Sequence, residues 1–447
     1  MRKMIAMLLM LTLLATGFAL AESDLKAQAE ADCDALLAGD FAAVAARFDE
    51  NMAAVLDADG LEQSWSAVAP LLGEYLGRGE AELVAHDGYT VAVLQARFAN
   101  SNLKVQIAYD DAGRIGGMQM QPVAPETAAE SEETGAWTEV ELTVEADPAY
   151  PLGATLCLPE GGDAVLPPVV VLVQGSGSSD RNEAILQNAP FKDIAHGLAE
   201  LGVATLRYDK RTFIYPECAG DTGLDIDIRG EMLDDVNAAI ALMRADERVD
   251  SAHIFVLGHS LGGMMVPAIA AENPDLAGVI SMAGSLRRLW EIVYDQNQEA
   301  IAAYNEVELP EAQRAVLNAQ VAQIEADMEV FRSGIDGLSD DATLLGVPAR
   351  YWRSLEEYAG DHFIDELELP LLILQGDADF QVYADVDYPL WQEALAGREN
   401  VTFCLYEDLN HLMMPTQGLR DTTEYVTPSH VREDVIADIA DFVNGIA

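Results

Sequence analysis

The chain has 447 residues, half of them hydrophobic, so a sizeable core is available and global disorder is excluded. That length exceeds one ordinary core and predicts two domains, or one large domain with an appendage. Against 25 Lys and Arg stand 76 Asp and Glu, a formal net charge of −51. Such a field repels DNA, RNA and anionic membrane surfaces, so a nucleic-acid partner is not expected, and the acidity reads as a solubility device. Four cysteines (Cys33, Cys157, Cys218, Cys404) are too few and too scattered for a disulfide scaffold, and none forms a CxxC zinc pair.

The chain opens on Met1-Arg2-Lys3, continues with an apolar run to residue 21 and ends that run in Ala19-Leu20-Ala21 before turning acidic at Glu22. This is the pattern of a cleaved signal peptide over residues 1–21, which predicts a secreted protein, extracellular or periplasmic. A retained anchor is the alternative, since about 18 apolar residues just span a bilayer. No basic stop-transfer cluster follows, however, and Thr12, Thr16 and Gly17 interrupt the run.

Residues 24–48 and 61–76 carry apolar side chains three and four apart and predict two helices. After Gly77 the period falls to two, predicting strands over 89–98, 103–109 and 115–122. Helices followed by a meander define a small α+β domain over 22–122. It resembles the domain of unknown function, of cystatin or nuclear-transport-factor type, that precedes some secreted bacterial hydrolases. His86 is its only histidine, and it holds no catalytic constellation. Residues 123–136 are acidic and aperiodic and read as a linker.

From residue 137 the pattern changes. Strands are predicted at 138–145, 153–158 and 169–173, the last apolar throughout as in a strand buried on both faces. Strand and helix then alternate through 203–208, 228–244, 254–257, a helix from 261, and 278–282, which predicts right-handed βαβ units and a mostly parallel sheet. Residues 285–368 break the alternation with helical spacing, an insertion that reads as a cap. Strands at 370–374 and 401–405 and a helix from 431 complete the domain.

The central motif is Gly258-His259-Ser260-Leu261-Gly262, where a strand runs straight into an Ala/Met-rich helix. A G-x-S-x-G sequence in that setting lifts a serine hydroxyl onto a strained turn, with room made by the glycines and positive potential from the helix N-terminus. Here the chain looks like a member of the α/β-hydrolase superfamily, in its secreted esterase and acyl-hydrolase branch. The resemblance covers residues 137–447 and is carried by 173–177, 206–211, 258–262 and 374–382.

The resemblance implies an α/β-hydrolase fold with a helical cap and a triad in the chain order Ser, acid, His. Ser260 is the nucleophile. Only His411 and His430 follow the last acid loop; His411 lies just past a strand end and is assigned as base, while His430 reads as a surface or capping residue. His259 is expected to point into the packing behind the elbow. The loop Gly376-Asp377-Ala378-Asp379 offers two acids; the family pattern G-x-x-D selects Asp379, leaving Asp377 to the turn. The oxyanion hole is assigned to the backbone N–H groups of Leu261 and Ser176. Gln174 and Gly175, which stand where many relatives have His-Gly, are candidate substrate contacts, as are Trp290, Tyr351 and Trp352, with Tyr294, in the cap. Asp209-Lys210-Arg211 either contacts substrate and holds the loop 178–183 or forms an ion-pair network.

The chemistry implied is cleavage of a carboxylic ester through an acyl-serine, with a small ester or acyl compound as partner. An amide-cleaving aminopeptidase or an acyltransferase is the alternative with the same triad, and carbohydrate binding by the N-terminal domain is the non-enzymatic one. No HExxH, P-loop or dinucleotide fingerprint occurs, so no metal or other cofactor is implied.

Overall fold

The computed structural model describes residues 22–446 apart from 87–88, 100, 111, 124–134, 162–164, 216–217, 219–225 and 306–310. The leader and most of the linker therefore lie outside the described residues. The chain divides into two compact bodies: residues 1–131 with 185–187 and 301–323, and the remainder.

In the first body helix Glu22–Leu37 stops where Gly39 adopts φ +77°, and Asp40 begins a second helix, Phe41–Ala45, by accepting the Ala43 N–H. The single helix expected over 24–48 is thus two. Asp49 and Asp57 cap helices Glu50–Val55 and Ala58–Leu72 in the same way. Helix Ala58–Leu72 ends at Gly73, so residues expected to continue it form β1 (Tyr75–Arg78) instead. With β2 (Glu82–His86), β3 (Tyr89–Phe98), β4 (Asn102–Tyr109) and β5 (Ile115–Val123) it makes an antiparallel sheet ordered β1-β3-β4-β5, with β2 also pairing β3. Leu103, Val105, Ile107 and Tyr109 alternate inward from β4 onto the helices, and the Tyr109 hydroxyl donates to Asp32 at 2.9 Å.

The second body is built on an eight-stranded sheet. In chain order its strands are β6 (Trp137–Val144), β7 (Leu152–Pro159), β8 (Val169–Val173), β9 (Ala204–Tyr208), β10 (Ile254–His259) and β11 (Gly278–Met282). A short separate hairpin, β12 (Thr343–Leu344) and β13 (Val347–Pro348), intervenes before β14 (Leu371–Gly376) and β15 (Val401–Tyr406). The spatial order is β15-β14-β11-β10-β8-β9-β7-β6; β7 runs antiparallel to both its neighbours and every other pairing is parallel. β8, β10, β11 and β14 are buried at every residue, as their unbroken apolar runs require of strands covered on both faces. Helices Pro190–Glu200, Asp234–Ala245, Leu261–Glu272 and Glu433–Asn444 supply the cover. The insertion carries helices Leu289–Asn305, Glu311–Ser333 and Ala349–Glu357, of which residues 301–323 count with the first body. Among the described residues no helix is long and apolar enough to cross a membrane.

Candidate active site

Ser260 terminates β10 at φ +54° and ψ −116°, a backbone state that persists only when its surroundings enforce it. The enforcement is steric. A Cβ on Gly258 would lie 2.1 Å from the Gly262 carbonyl oxygen, and one on Gly262 would lie 2.4 Å from that of Val173. Only glycine lets strand, elbow and helix approach so closely. Leu261 heads the helix that follows, so its N–H has no partner within the helix.

The turn after β8 packs against Ser260: a Cβ on Gly175 would meet the Ser260 Cβ at 3.0 Å. Both backbone groups of Gly175 are taken, its N–H by Glu183 Oε1 at 2.6 Å and its carbonyl by Lys210 Nζ at 2.7 Å. The Ser176 N–H has no hydrogen-bond partner among the described residues, which leaves Ser176 as the open donor of this turn. Gln174 is buried, and its amide donates to the Tyr208 carbonyl and ties β8 to β9. Gln174 and Gly175 brace the turn.

β14 and β15 deliver the other two groups. Asp379 Oδ2 lies 2.8 Å from His411 Nδ1, and both side chains are buried. Oδ1 accepts the N–H groups of Gln381 (2.8 Å) and Val382 (2.9 Å), while Gln375 Nε2 donates to Oδ2 at 3.0 Å. Every partner is a donor, so the ring proton sits on Nδ1 and Nε2 is left to accept one. Among the described residues neither the Ser260 hydroxyl nor His411 Nε2 makes a hydrogen bond; such contacts commonly close only with substrate in place. The two loops interlock, since a Cβ on Gly376 would lie 2.3 Å from the Leu409 carbonyl oxygen. Asp377 accepts the Asp408 N–H at 2.7 Å, which is the turn role, and exposed His430 pairs with Asp193.

His259 is not merely packed behind the elbow. Its Nδ1 lies 2.8 Å from Glu183 Oε2 and its Nε2 3.0 Å from the His411 carbonyl oxygen. Asp209, Lys210 and Arg211 are all engaged in ion pairs: Asp209 holds Arg181, Lys210 meets Glu231 at 2.6 Å, and Arg211 meets Asp235 at 2.5 Å. The Asp209–Arg181 pair fixes the loop 178–183, and Lys210 fixes the Ser176 turn through Gly175.

A cavity of about 280 Å³ lies between Ser176–Ser178 and the insertion, where Leu289, Val293, Tyr351 and Trp352 line it. The Tyr351 hydroxyl donates to Glu231 at 2.5 Å and Trp352 Nε1 to the Leu344 carbonyl at 2.9 Å, so both rings are held rigidly. Trp290 is not part of this wall: it stacks on Phe331 (centroids 5.1 Å apart) beside a separate recess of about 20 Å³. Tyr294 donates to Glu325. Away from the elbow, Glu139, Cys157 and His196 cluster with metal-ligand chemistry. Glu139 is already taken by Arg207 (2.6 Å) and His196 (2.7 Å), and burial pushes the Cys157 thiol up to about 12, so this set does not fit a metal.

Glu183, Lys210 and Glu231 complete the surroundings. Of these, Glu183 and Glu231 carry no motif, and nothing in the sequence singles them out.

Residues 187–416 match the family described as serine aminopeptidase, S33, and residues 29–118 match one described as a protein of unknown function (DUF3887). Esterase EstD of Thermotoga maritima is 30% identical over 392 residues, 87% of this chain and 87% of that one. Among solved structures, Est1E from Butyrivibrio proteoclasticus superposes with TM-score 0.43 at 17% identity, over 68% of this chain and 98% of its own. A puromycin-hydrolysing peptidase of Mycobacterium tuberculosis does so with TM-score 0.42 at 15% identity, over 83% of this chain and 48% of its own.

Proposed function

The chain belongs to the serine aminopeptidase S33 family of α/β-hydrolases, and from that membership we propose that it cleaves carboxylic esters through an acyl intermediate on Ser260. His411 Nε2 takes the serine proton as Oγ attacks the ester carbonyl, and Asp379 steadies the imidazolium that forms. The N–H groups of Ser176 and Leu261 receive the oxyanion. His411 then returns its proton to the leaving alcohol and activates the water that releases the acid.

The observation that supports this reading is one strained serine and one acid–histidine contact, both at the C-terminal ends of parallel strands of one sheet, where open α/β sheets place their chemistry. Ester rather than peptide cleavage is favoured by the cavity's one carboxylate among the described residues. An aminopeptidase needs a free anion for the substrate's ammonium group, whereas Glu231 is already neutralised by Lys210 at 2.6 Å. The basic, apolar, Ala19-Leu20-Ala21 leader supports export of the mature enzyme; a mature N-terminus at Glu22 in exported protein tests that part.

A panel of nitrophenyl esters of rising acyl length, run beside an aminoacyl anilide, tests the activity. Turnover of esters with an inert anilide is the expected result. Rapid anilide cleavage with inert esters overturns it.

A further inference from the structure

Glu183 and His259 stand between the oxyanion turn and the loop of the base, and the mechanism above uses neither. Both are buried, with Glu183 6% and His259 3% exposed. Glu183 holds φ +52°, an uncommon state for a residue with a Cβ, at the end of the loop that Arg181 anchors to Asp209. Its Oε1 accepts the Gly175 N–H at 2.6 Å and its Oε2 faces His259 Nδ1 at 2.8 Å, while His259 Nε2 reaches the His411 carbonyl oxygen at 3.0 Å.

The proton count of this chain is fixed by its ends. The His411 carbonyl only accepts, so Nε2 carries a proton; the Gly175 N–H only donates, so Oε1 accepts. One further proton lies between Nδ1 and Oε2. We infer that Glu183 and His259 are a positioning pair, a second acid–histidine contact that clamps the oxyanion turn to the His411 loop and so sets the distance between the oxyanion donors and the base. The inference rests on the roles proposed for Ser176 and His411. In a water-excluded site such a linkage is strong when complete and costly when one partner is lost.

The clamp has a pH dependence of definite sign. Burial pushes the His259 ring toward neutrality, but the facing Glu183 carboxylate, the His411 carbonyl and Asp379 outweigh it, and its pKa is raised. The His411 ring lies against it at a tilt (centroids 4.7 Å apart, planes 48° apart), Phe191 meets it edge-on, and Lys210 sits on the far side of the turn. The shared proton is therefore held more tightly than on a free imidazole. When it leaves at higher pH, a carboxylate faces a bare nitrogen and the clamp opens.

The test compares Glu183→Ala and Glu183→Gln with wild type on one nitrophenyl ester, with Ser260→Ala alongside and thermal melts as a check on folding. Glu183→Ala should lower kcat by about 10²-fold, the loss typical of one oxyanion donor, with KM little changed. Glu183→Gln should recover most of that loss, because its carbonyl still accepts from Gly175 and its amide donates to a neutral His259. The alkaline fall of kcat should move to higher pH in Glu183→Gln, because the amide donates to a neutral His259 and no shared proton has to be kept. Wild-type kcat in a folded Glu183→Ala protein, or an unmoved alkaline limb in Glu183→Gln, overturns the inference. If Glu183→Ala fails to fold, the alkaline limb of Glu183→Gln decides alone. Turnover surviving in Ser260→Ala would instead overturn the proposed function.

Discussion

At Ser260 a backbone strain of about 1–3 kcal/mol is held in place by contacts that only Gly258 and Gly262 permit. In the proposed mechanism nucleophile, base and acid act as a unit, so Ser260→Ala and His411→Ala should each cost about 10⁴-fold or more in kcat, and the double variant should cost little beyond either. Multiplying losses in steady-state kinetics would show that one of the two does not belong to the unit. Asp379→Asn places an amide against Nδ1 and fixes the wrong tautomer, so a fall of about 10⁴-fold is expected. Asp377→Asn keeps an oxygen for the Asp408 N–H and should turn over like wild type; the reverse ranking moves the acid by two residues. These positions are legible in the sequence because each lies in a short local pattern at a strand end. Glu183 and His259 are not, because their contact spans 76 residues and the link on to His411 spans 152. No local period reports a partner at that distance.

The elements around the site show why packing directions escape a one-dimensional reading. Aromatic residues at helical spacing in the insertion do not reveal which face they occupy. Tyr351 and Trp352 turn out to wall the cavity, while Trp290 stacks on Phe331. Helical periodicity likewise predicts an unbroken helix over 228–244, but Arg229–Leu233 forms a wider π turn before Asp234–Ala245. That segment sets Glu231 and Asp235 against the adjacent Lys210 and Arg211. The strands β1 and β2 went unforeseen because they are only four and five residues long and β1 contains a glycine. Trp352 offers the test at this scale. It is buried and packs edge-on against Phe331, so Trp352→Ala should lose about 3–5 kcal/mol in denaturant unfolding. In the folded fraction the enlarged cavity should move the preferred acyl chain to greater length; an unchanged chain-length profile would place the acyl group elsewhere.

Across the whole molecule the formal charge of −51 governs how substrates arrive. A negatively charged ester should gain in kcat/KM as salt rises from about 0.01 to 0.15 M, because the Debye length shrinks from about 30 to 8 Å and the repulsion is screened. A neutral ester of the same acyl chain should respond little, and equal responses would show that the overall field does not act at the site. The division into a small α+β domain and a larger α/β-hydrolase was readable from one change in pattern. Hydrophobic spacing of two with antiparallel turns gives way after residue 137 to strands and helices in alternation, and the mostly parallel sheet follows from that alternation, whereas the strand order does not.

In the proposed reaction Ser260 carries the acyl group. Intact-mass measurement of the enzyme after reaction with a fluorophosphonate, followed by peptide sequencing, tests it directly. One adduct is expected on the peptide that contains Ser260, formed far more slowly in His411→Ala and absent in Ser260→Ala. An adduct on any other residue, or none from an enzyme that still turns over esters, contradicts it.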